Sequence, residues 1–182
     1  NVITHGLENI PSDQACIFMA NHTSLIDIVV MVIAIPYHFN FIAKKELFWV
    51  PFIGLDMVFG GDFLIDRSNP RKAKKCLNKV EQRLKKGWNM LIFPEGTRSR
   101  DGVPKPFKRK GLLTLFKNAP DAHVLPVSIS HSWRLQRFGM FPIPIGTHLI
   151  FIVHPSLKVS EYEPDALIDK VEATVKSHID LN

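Results

Sequence analysis

In the stretch MANHTSLIDI, residues 19 to 28, His22 stands at the mouth of an apolar run and Asp27 follows five positions later. A neutral imidazole can take a proton from a hydroxyl, and a carboxylate bonded to its other ring nitrogen fixes the tautomer and stabilises the imidazolium that forms. The spacing sets a condition on that chemistry. In a regular helix five residues rotate by about 500°, roughly 140° from eclipsed, so the two side chains meet only if His22 precedes the helix and Asp27 lies in its first turn. The same residues also admit a structural reading, because Ser24-Leu25-Ile26-Asp27 fits the S-x-x-[DE] capping pattern, with Asp for the usual Glu. No G-x-S-x-G nucleophile elbow occurs. A catalytic pair here would therefore activate a hydroxyl on the substrate.

FPEGTRSR, residues 93 to 100, leaves an apolar run and turns at once into a loop carrying Glu95, Gly96, Thr97, Arg98 and Arg100. Such a loop suits an anion: Arg98 can grip phosphate bidentately, Thr97 can donate a hydroxyl, and Gly96 lets backbone amides come close. The alternative is a charged surface turn held by an Arg–Glu pair. Arg67 closes GGDFLIDR, either as a second phosphate ligand or as a partner of Asp66 or Asp62. Lys44 and Lys45 follow FNFIA in the same topological position, where lysines are ordinarily solvated.

These residues need elements to hold them at strand ends, and the chain supplies the pattern. ACIFMA (15–20) reads as a buried strand, and IDIVVMVIAI as a helix stopped by Pro36. FNFIA (39–43) reads as a strand, KKELFWVPFIG (44–54) as a short helix broken at Pro51, and DFLIDR (62–67) as a strand ending in charge. The clearest helix follows: Ser68 or Asn69 caps it, Pro70 suits its first turn, Leu77, Val80 and Leu84 form its stripe, and Gly87 closes it. NMLIF, HVLPVSIS and HLIFIV read as further strands, and PDALIDKVEATVKSHI as a terminal amphipathic helix. Alternation of this kind predicts an α/β fold with a largely parallel central sheet flanked by helices, whose ligands collect beyond the carboxyl ends of the strands.

Composition narrows the partners. At 182 residues and 46% hydrophobic, the chain suits a single domain over residues 1–182. A net charge of +6 and a pI near 9.4 point to nucleic acid, phosphorylated metabolites or a membrane surface. The basic residues fall at strand ends and on one helix, without the interleaved aromatics that stack on bases, which argues against nucleic acid. Cys16 and Cys76 stand alone, suggesting neither a disulfide framework nor a zinc site, and a reducing compartment. The longest apolar stretch, Ile28 to Ile35, is too short to span a bilayer, and no signal-peptide pattern opens the chain. The absence of an initiator Met is read as a piece of a longer protein, with a membrane anchor expected ahead of Asn1.

Taken in order, the motifs resemble those of the glycerolipid acyltransferase family, specifically the 1-acylglycerol-3-phosphate (lysophosphatidic acid) acyltransferases. NHTSLID looks like the first motif; GGDFLIDR is similar to the second, with Leu64 where phenylalanine is usual; FPEGTRS looks like the third and VLPVSI like the proline-bearing fourth. AKKELFWVPFIG is similar to the linking segment, so the resemblance runs from about Leu7 to Ile129. It implies a glycerol-3-phosphate acyltransferase-like fold and an acyl thioester, on coenzyme A or acyl carrier protein, transferred to the sn-2 hydroxyl of 1-acylglycerol-3-phosphate. It implies that His22 and Asp27 are the catalytic pair, that Arg67 and Arg98, with Lys44, hold the acceptor's phosphate, and that Glu95, Gly96 and Thr97 belong to that pocket. The oxyanion would be met by amides near the His22 turn or the Gly96 loop. No metal or resident cofactor is implied. Two alternatives accompany this reading: another acceptor, such as a head-group lysophospholipid or glycerol-3-phosphate, and a non-catalytic lipid- or phosphate-binding module.

The substrates also imply membrane association at a cytoplasmic face, peripheral or through the anchor. For attraction the chain offers Arg71, Lys72, Lys74, Lys75, Arg83, Lys85 and Lys86 on one helix and Lys105, Lys108, Arg109 and Lys110 in the loop after the third motif. Apolar contact would come from Phe48, Trp49 and Phe52, or from Trp133, Phe138, Met140 and Phe141.

Overall fold

The computed structural model describes residues 1–46, 60–66, 68–99, 101–136, 144 and 146–179, the side chain of Lys44 excepted. Its strands are β1 (Val2–His5), β2 (Cys16–Ala20), β3 (Phe39–Lys44), β4 (Phe63–Ile65), β5 (Asn89–Ile92), β6 (His123–Ser130), β7 (Leu149–Val153) and β8 (Leu157–Lys158). They form one sheet in the order β1-β7-β6-β2-β5-β3-β4, with β8 beside β6. β6, β2, β5, β3 and β4 run parallel; β7 and β8 oppose β6, and β1 follows β7. The helices are α1 (Ile26–Ala34), α2 (Pro70–Leu84), α3 (Arg109–Asn118) and α4 (Pro164–Ser177).

The central strand β2 is buried along its whole length, which is why CIFMA shows no polar alternation. Its side chains still alternate by face. Ile17 and Met19 join the core under α2, α3 and α4, whereas Cys16, Phe18 and Ala20 join the core under α1. The winding explains why α1 packs on the other face from α2 and α3. From β2 the chain crosses β5 to reach β3, but from β4 it winds back over β3 to β5 and then over β2 to β6. Right-handed crossovers in opposite directions put their helices on opposite faces, leaving a crevice between β2 and β5 where the direction reverses.

α2 forms as its residues predict: the Asn69 side chain accepts from Lys72 N, Pro70 opens the first turn, and Leu77, Val80 and Leu84 are buried, each stabilising by about 1.5–3 kcal/mol. Gly87 closes it with φ +83°, donating its N–H to Leu84 O. Three elements depart from expectation. β1 and β8 are short edge pieces whose pairing is set by β7 and β6, with no alternation of their own to announce them. Arg109 and Lys110 begin α3 instead of lying in a loop, because Leu112, Leu115 and Phe116 bury one face of that segment. Arg109 is also occupied, bonding Asp165 and Asp169 of α4. Lys45 and Glu46 open a 3-10 turn after β3, and the rest of the expected 44–54 helix, with Phe48, Trp49 and Phe52, lies outside the described residues. Phe138, Met140 and Phe141 lie outside them too, while Trp133 packs its ring on Gly102.

Candidate active site

β2 ends at Ala20 and β5 at Ile92, so the loops that follow them face each other across the crevice. Asn21 extends the sheet by one step: its side chain donates to Ile129 O and accepts from Ile129 N, both at 2.8 Å. His22 then leaves the strand before the helix, the condition its spacing imposed. Its Nδ1 lies 2.9 Å from Asp27 Oδ2, the histidine side chain 14% exposed and the carboxylate fully buried. Asp27 Oδ2 also accepts Thr23 N at 2.7 Å and Ser24 N at 2.8 Å, while Ser24 Oγ accepts Ile26 N. The carboxylate that partners the histidine thus also closes half of the expected capping box, through the Ser24 N–H, while the Ser24 hydroxyl turns to Ile26 N in place of Asp27 N. With Asp27 accepting, Nδ1 carries the ring proton and Nε2 keeps its lone pair.

The peptide of His22 is clamped at both ends. Its N–H donates to Glu95 Oε1 at 2.8 Å, and its carbonyl accepts Ser99 N at 2.8 Å. Glu95 Oε2 takes Lys105 N at 2.8 Å, so this buried carboxylate spends both oxygens on backbone. Burial pushes its pKa up, an effect opposed by the N–H bonds from Lys105 and His22. Gly96 turns the loop with φ +69° and donates to Phe93 O. The Phe93 ring stacks on the His22 imidazole at 4.1 Å between centroids. Every amide from His22 to Ile26 is engaged, Leu25 N by Gln136 Oε1, and so is that of Gly96. None of these is open to a substrate oxygen in this arrangement.

The anion-binding candidates lie around this pair to different degrees. Arg98 is half-buried, with Nη1 3.4 Å from Gln136 Oε1, and among the described residues it makes no ion pair. Thr97 is exposed. Arg67 and Arg100 lie outside the described residues, as does the side chain of Lys44, whose backbone ends β3 opposite Ile65. Lys45 pairs with Asp66 at 2.8 Å, tying the ends of β3 and β4, and with Ser68 it holds that carboxyl down at about 2. Among the described residues no group of three or more His, Cys, Asp or Glu side chains is placed to hold a metal.

Sequence reasoning missed Ser132 and Gln136. His131, left-handed at φ +67°, turns the chain from β6 into a 3-10 helix over Ser132–Gln136. Ser132 Oγ meets Thr23 Oγ1 at 2.6 Å, and Gln136 Oε1 accepts from Leu25 N, Ser24 Oγ and Arg98. One amide oxygen thereby links the start of α1 to the arginine of the third motif. No local pattern marks a glutamine for that job. Gln136→Ala is expected to cost about 1–2 kcal/mol of stability by stranding the Leu25 N–H. Turnover should fall about tenfold as Arg98 and the His22 turn lose their tie. Melting and steady-state kinetics on the same preparation read the two losses separately.

The profile of the family described as Acyltransferase matches residues 1–130. The chain is 32% identical over 177 residues to a chloroplastic 1-acyl-sn-glycerol-3-phosphate acyltransferase, BAT2, of Brassica napus, covering 97% of this chain and 50% of that protein. It is 30% identical over 171 residues to the 1-acyl-sn-glycerol-3-phosphate acyltransferase of Borreliella burgdorferi, covering 91% of this chain and 66% of that one. Its fold is similar to the crystal structure of the 1-acyl-sn-glycerophosphate (LPA) acyltransferase PlsC from Thermotoga maritima. There the TM-score is 0.78 at 30% identity, over 97% of this chain and 70% of that one. The chain thus spans about half the length of its plant relative.

Proposed function

This chain belongs to the Acyltransferase family, and from that premise we propose that it moves a fatty acyl group from an acyl thioester to the sn-2 hydroxyl of 1-acylglycerol-3-phosphate, giving phosphatidic acid. The observation that carries the reading is the His22–Asp27 bond at 2.9 Å, with its tautomer fixed and Nε2 bonded to no described residue. Nε2 takes the proton as the hydroxyl oxygen attacks the thioester carbonyl. The tetrahedral intermediate collapses, the C–S bond breaks, and the thiolate recovers the proton from the imidazolium. Asp27 stabilises that cation from the far side of the ring. Glu95 and Phe93 hold His22 in position, and Arg98, with Arg67 and Lys44, supplies charge for the acceptor's phosphate. The donor is acyl-CoA or acyl carrier protein, and the reaction takes place at a membrane surface on its cytoplasmic face.

An acyl-transfer assay across acceptors tests this. Each donor is offered with 1-acylglycerol-3-phosphate, a head-group lysophospholipid and glycerol-3-phosphate, following thiol release. The first acceptor should be used with the highest kcat/KM. Arg98→Ala and Arg67→Ala should each lower that value by about 10- to 100-fold, one charged hydrogen bond's worth, with donor KM little changed. Lysine should restore only part, since it lacks the planar fork. Equal losses for acceptors with and without phosphate would assign these arginines to structure.

A further inference from the structure

The outer side of α1 has no part in the chemistry above. Val29, Val32 and Ile33 are 53%, 58% and 71% exposed, at the i, i+3, i+4 spacing that puts them on one face. Apart from the buried Asp27, α1 carries no polar side chain at all. A surface helix in water normally sets charges there. The apolar surface continues beyond α1, because Val32 shares a shallow cleft with Tyr37, His38 and Phe41. Tyr37 and Trp88 are both half-exposed, and Trp88 meets His38 edge-on at 5.3 Å with the Arg83 guanidinium 4.8 Å above its ring. An aliphatic face bordered by Tyr, His and Trp has the composition of a lipid–water boundary.

A second observation is independent of the first. Lys72, Lys75, Lys79 and Arg83 follow one side of α2 and, with Lys86 in the turn after it, line a groove of about 570 Å³ against β4. None of the four lysines makes an ion pair among the described residues, whereas Lys85, on another side of the helix, pairs with Glu81. The one acid in the groove, Asp62, accepts the Phe41 N–H. Like charges three and four residues apart repel along a helix, and Asp62 is the one acid that lines the groove with them. Asp62 lines both this groove and the Val32 cleft, so the basic row and the aliphatic face flank the same edge of the sheet.

We propose that this edge docks the chain on an anionic bilayer, the α1 face entering among the acyl chains and the α2 row meeting the headgroups. The start of α1, with Asp27 and the His22 turn, is then held at the boundary where an amphiphilic acceptor resides. The proposal takes its purpose from the acyl-transfer reading, while its test does not need turnover. A second copy of this chain fits the edge poorly. In a two-fold dimer the same patch faces itself, setting one basic row against the other. An anionic leaflet complements both parts at once.

The experiment is co-sedimentation of the full chain with vesicles of phosphatidylcholine, with and without phosphatidylglycerol. Binding should require phosphatidylglycerol and weaken as salt rises. Val32→Asp with Ile33→Asp should cut binding about tenfold or more, as a charge on the inserting face opposes its burial. Val32→Ser with Ile33→Ser gives a milder loss if the aspartates disturb folding. Lys75→Glu with Lys79→Glu should abolish the preference for phosphatidylglycerol. Turnover of a short-chain acceptor kept below its micellar concentration should be unchanged in all three. Wild type that binds no vesicle, or binding indifferent to both α1 and α2 changes, overturns the proposal. So does an α1 variant that alters the mass seen by light scattering in place of vesicle binding. Loss of binding in the variants of a chain inactive on every acceptor would sink the acyl-transfer reading and leave the docking face standing.

Discussion

His22→Ala is expected to abolish the proposed acyl transfer, lowering kcat by about 10⁴-fold, the upper range for a positioned general base. The fold should survive. The imidazole is held by one hydrogen bond and by stacking on Phe93, and its removal leaves Asp27 Oδ2 with the Thr23 and Ser24 amides still donating. A stability loss of about 1 kcal/mol is expected. The clamps on the residue 22 peptide, from Glu95 and Ser99, involve backbone and are unaffected by the truncation. Thiol release in the presence of both substrates measures the loss, with circular dichroism confirming the fold. Near-normal turnover in a folded His22→Ala protein would remove His22 as the base.

Asp27→Asn is expected to lose about 10²- to 10³-fold in kcat, less than His22→Ala, for a reason visible in the bonding of one oxygen. Oδ2 accepts three donors at once, two of them the Thr23 and Ser24 amides in the turn just ahead of α1. An asparagine oxygen at the Oδ2 position keeps all three donors, and its NH₂ takes the place of Oδ1, which is buried and accepts no hydrogen bond among the described residues. The tautomer of His22 then survives, but a neutral amide no longer stabilises the imidazolium that forms as the hydroxyl proton is taken. Helix capping largely persists, so melting should change by roughly 1 kcal/mol or less. Asp27→Ala separates the two roles. It leaves the Thr23 and Ser24 amides buried without an acceptor, and should lose on the order of 2 kcal/mol in addition to activity. If Asp27→Asn instead melted far below wild type and kept its turnover, the carboxylate would be a cap alone.

The clamp around His22 makes such substitutions informative. Glu95 is buried and bonded through both oxygens to backbone amides, one in the His22 turn and one ten residues downstream. It reaches His22 through the main chain, and its place in the third motif reflects that the loop after β5 must be tied to the loop after β2. The fourth motif serves the same turn from the other side, since Asn21 pairs with Ile129 of β6.

Much of this protein was legible in local pattern. β2, β3, β5 and β6 announce themselves as short apolar runs, α2 by its cap, proline and stripe, and α1 by its apolar run and Pro36, because each is specified by neighbours within a turn or a pleat. The His22–Asp27 spacing likewise carried its own condition, a histidine ahead of the helix and an aspartate in its first turn, and the turn at the end of β2 meets it. What needed tertiary structure is everything that depends on partners far along the chain. Gln136 bonds Leu25 across 111 residues of sequence, and Glu95 bonds His22 across 73, so no window of sequence contains either pair. Arg109 looked like free charge until α4 brought Asp165 and Asp169 against it. The location of the site itself was decided by winding. Only when β5 is laid beside β2, with their crossovers leaving in opposite directions, do the two motif loops face each other, because side chains from separate segments converge only where the sheet order places their strand ends together.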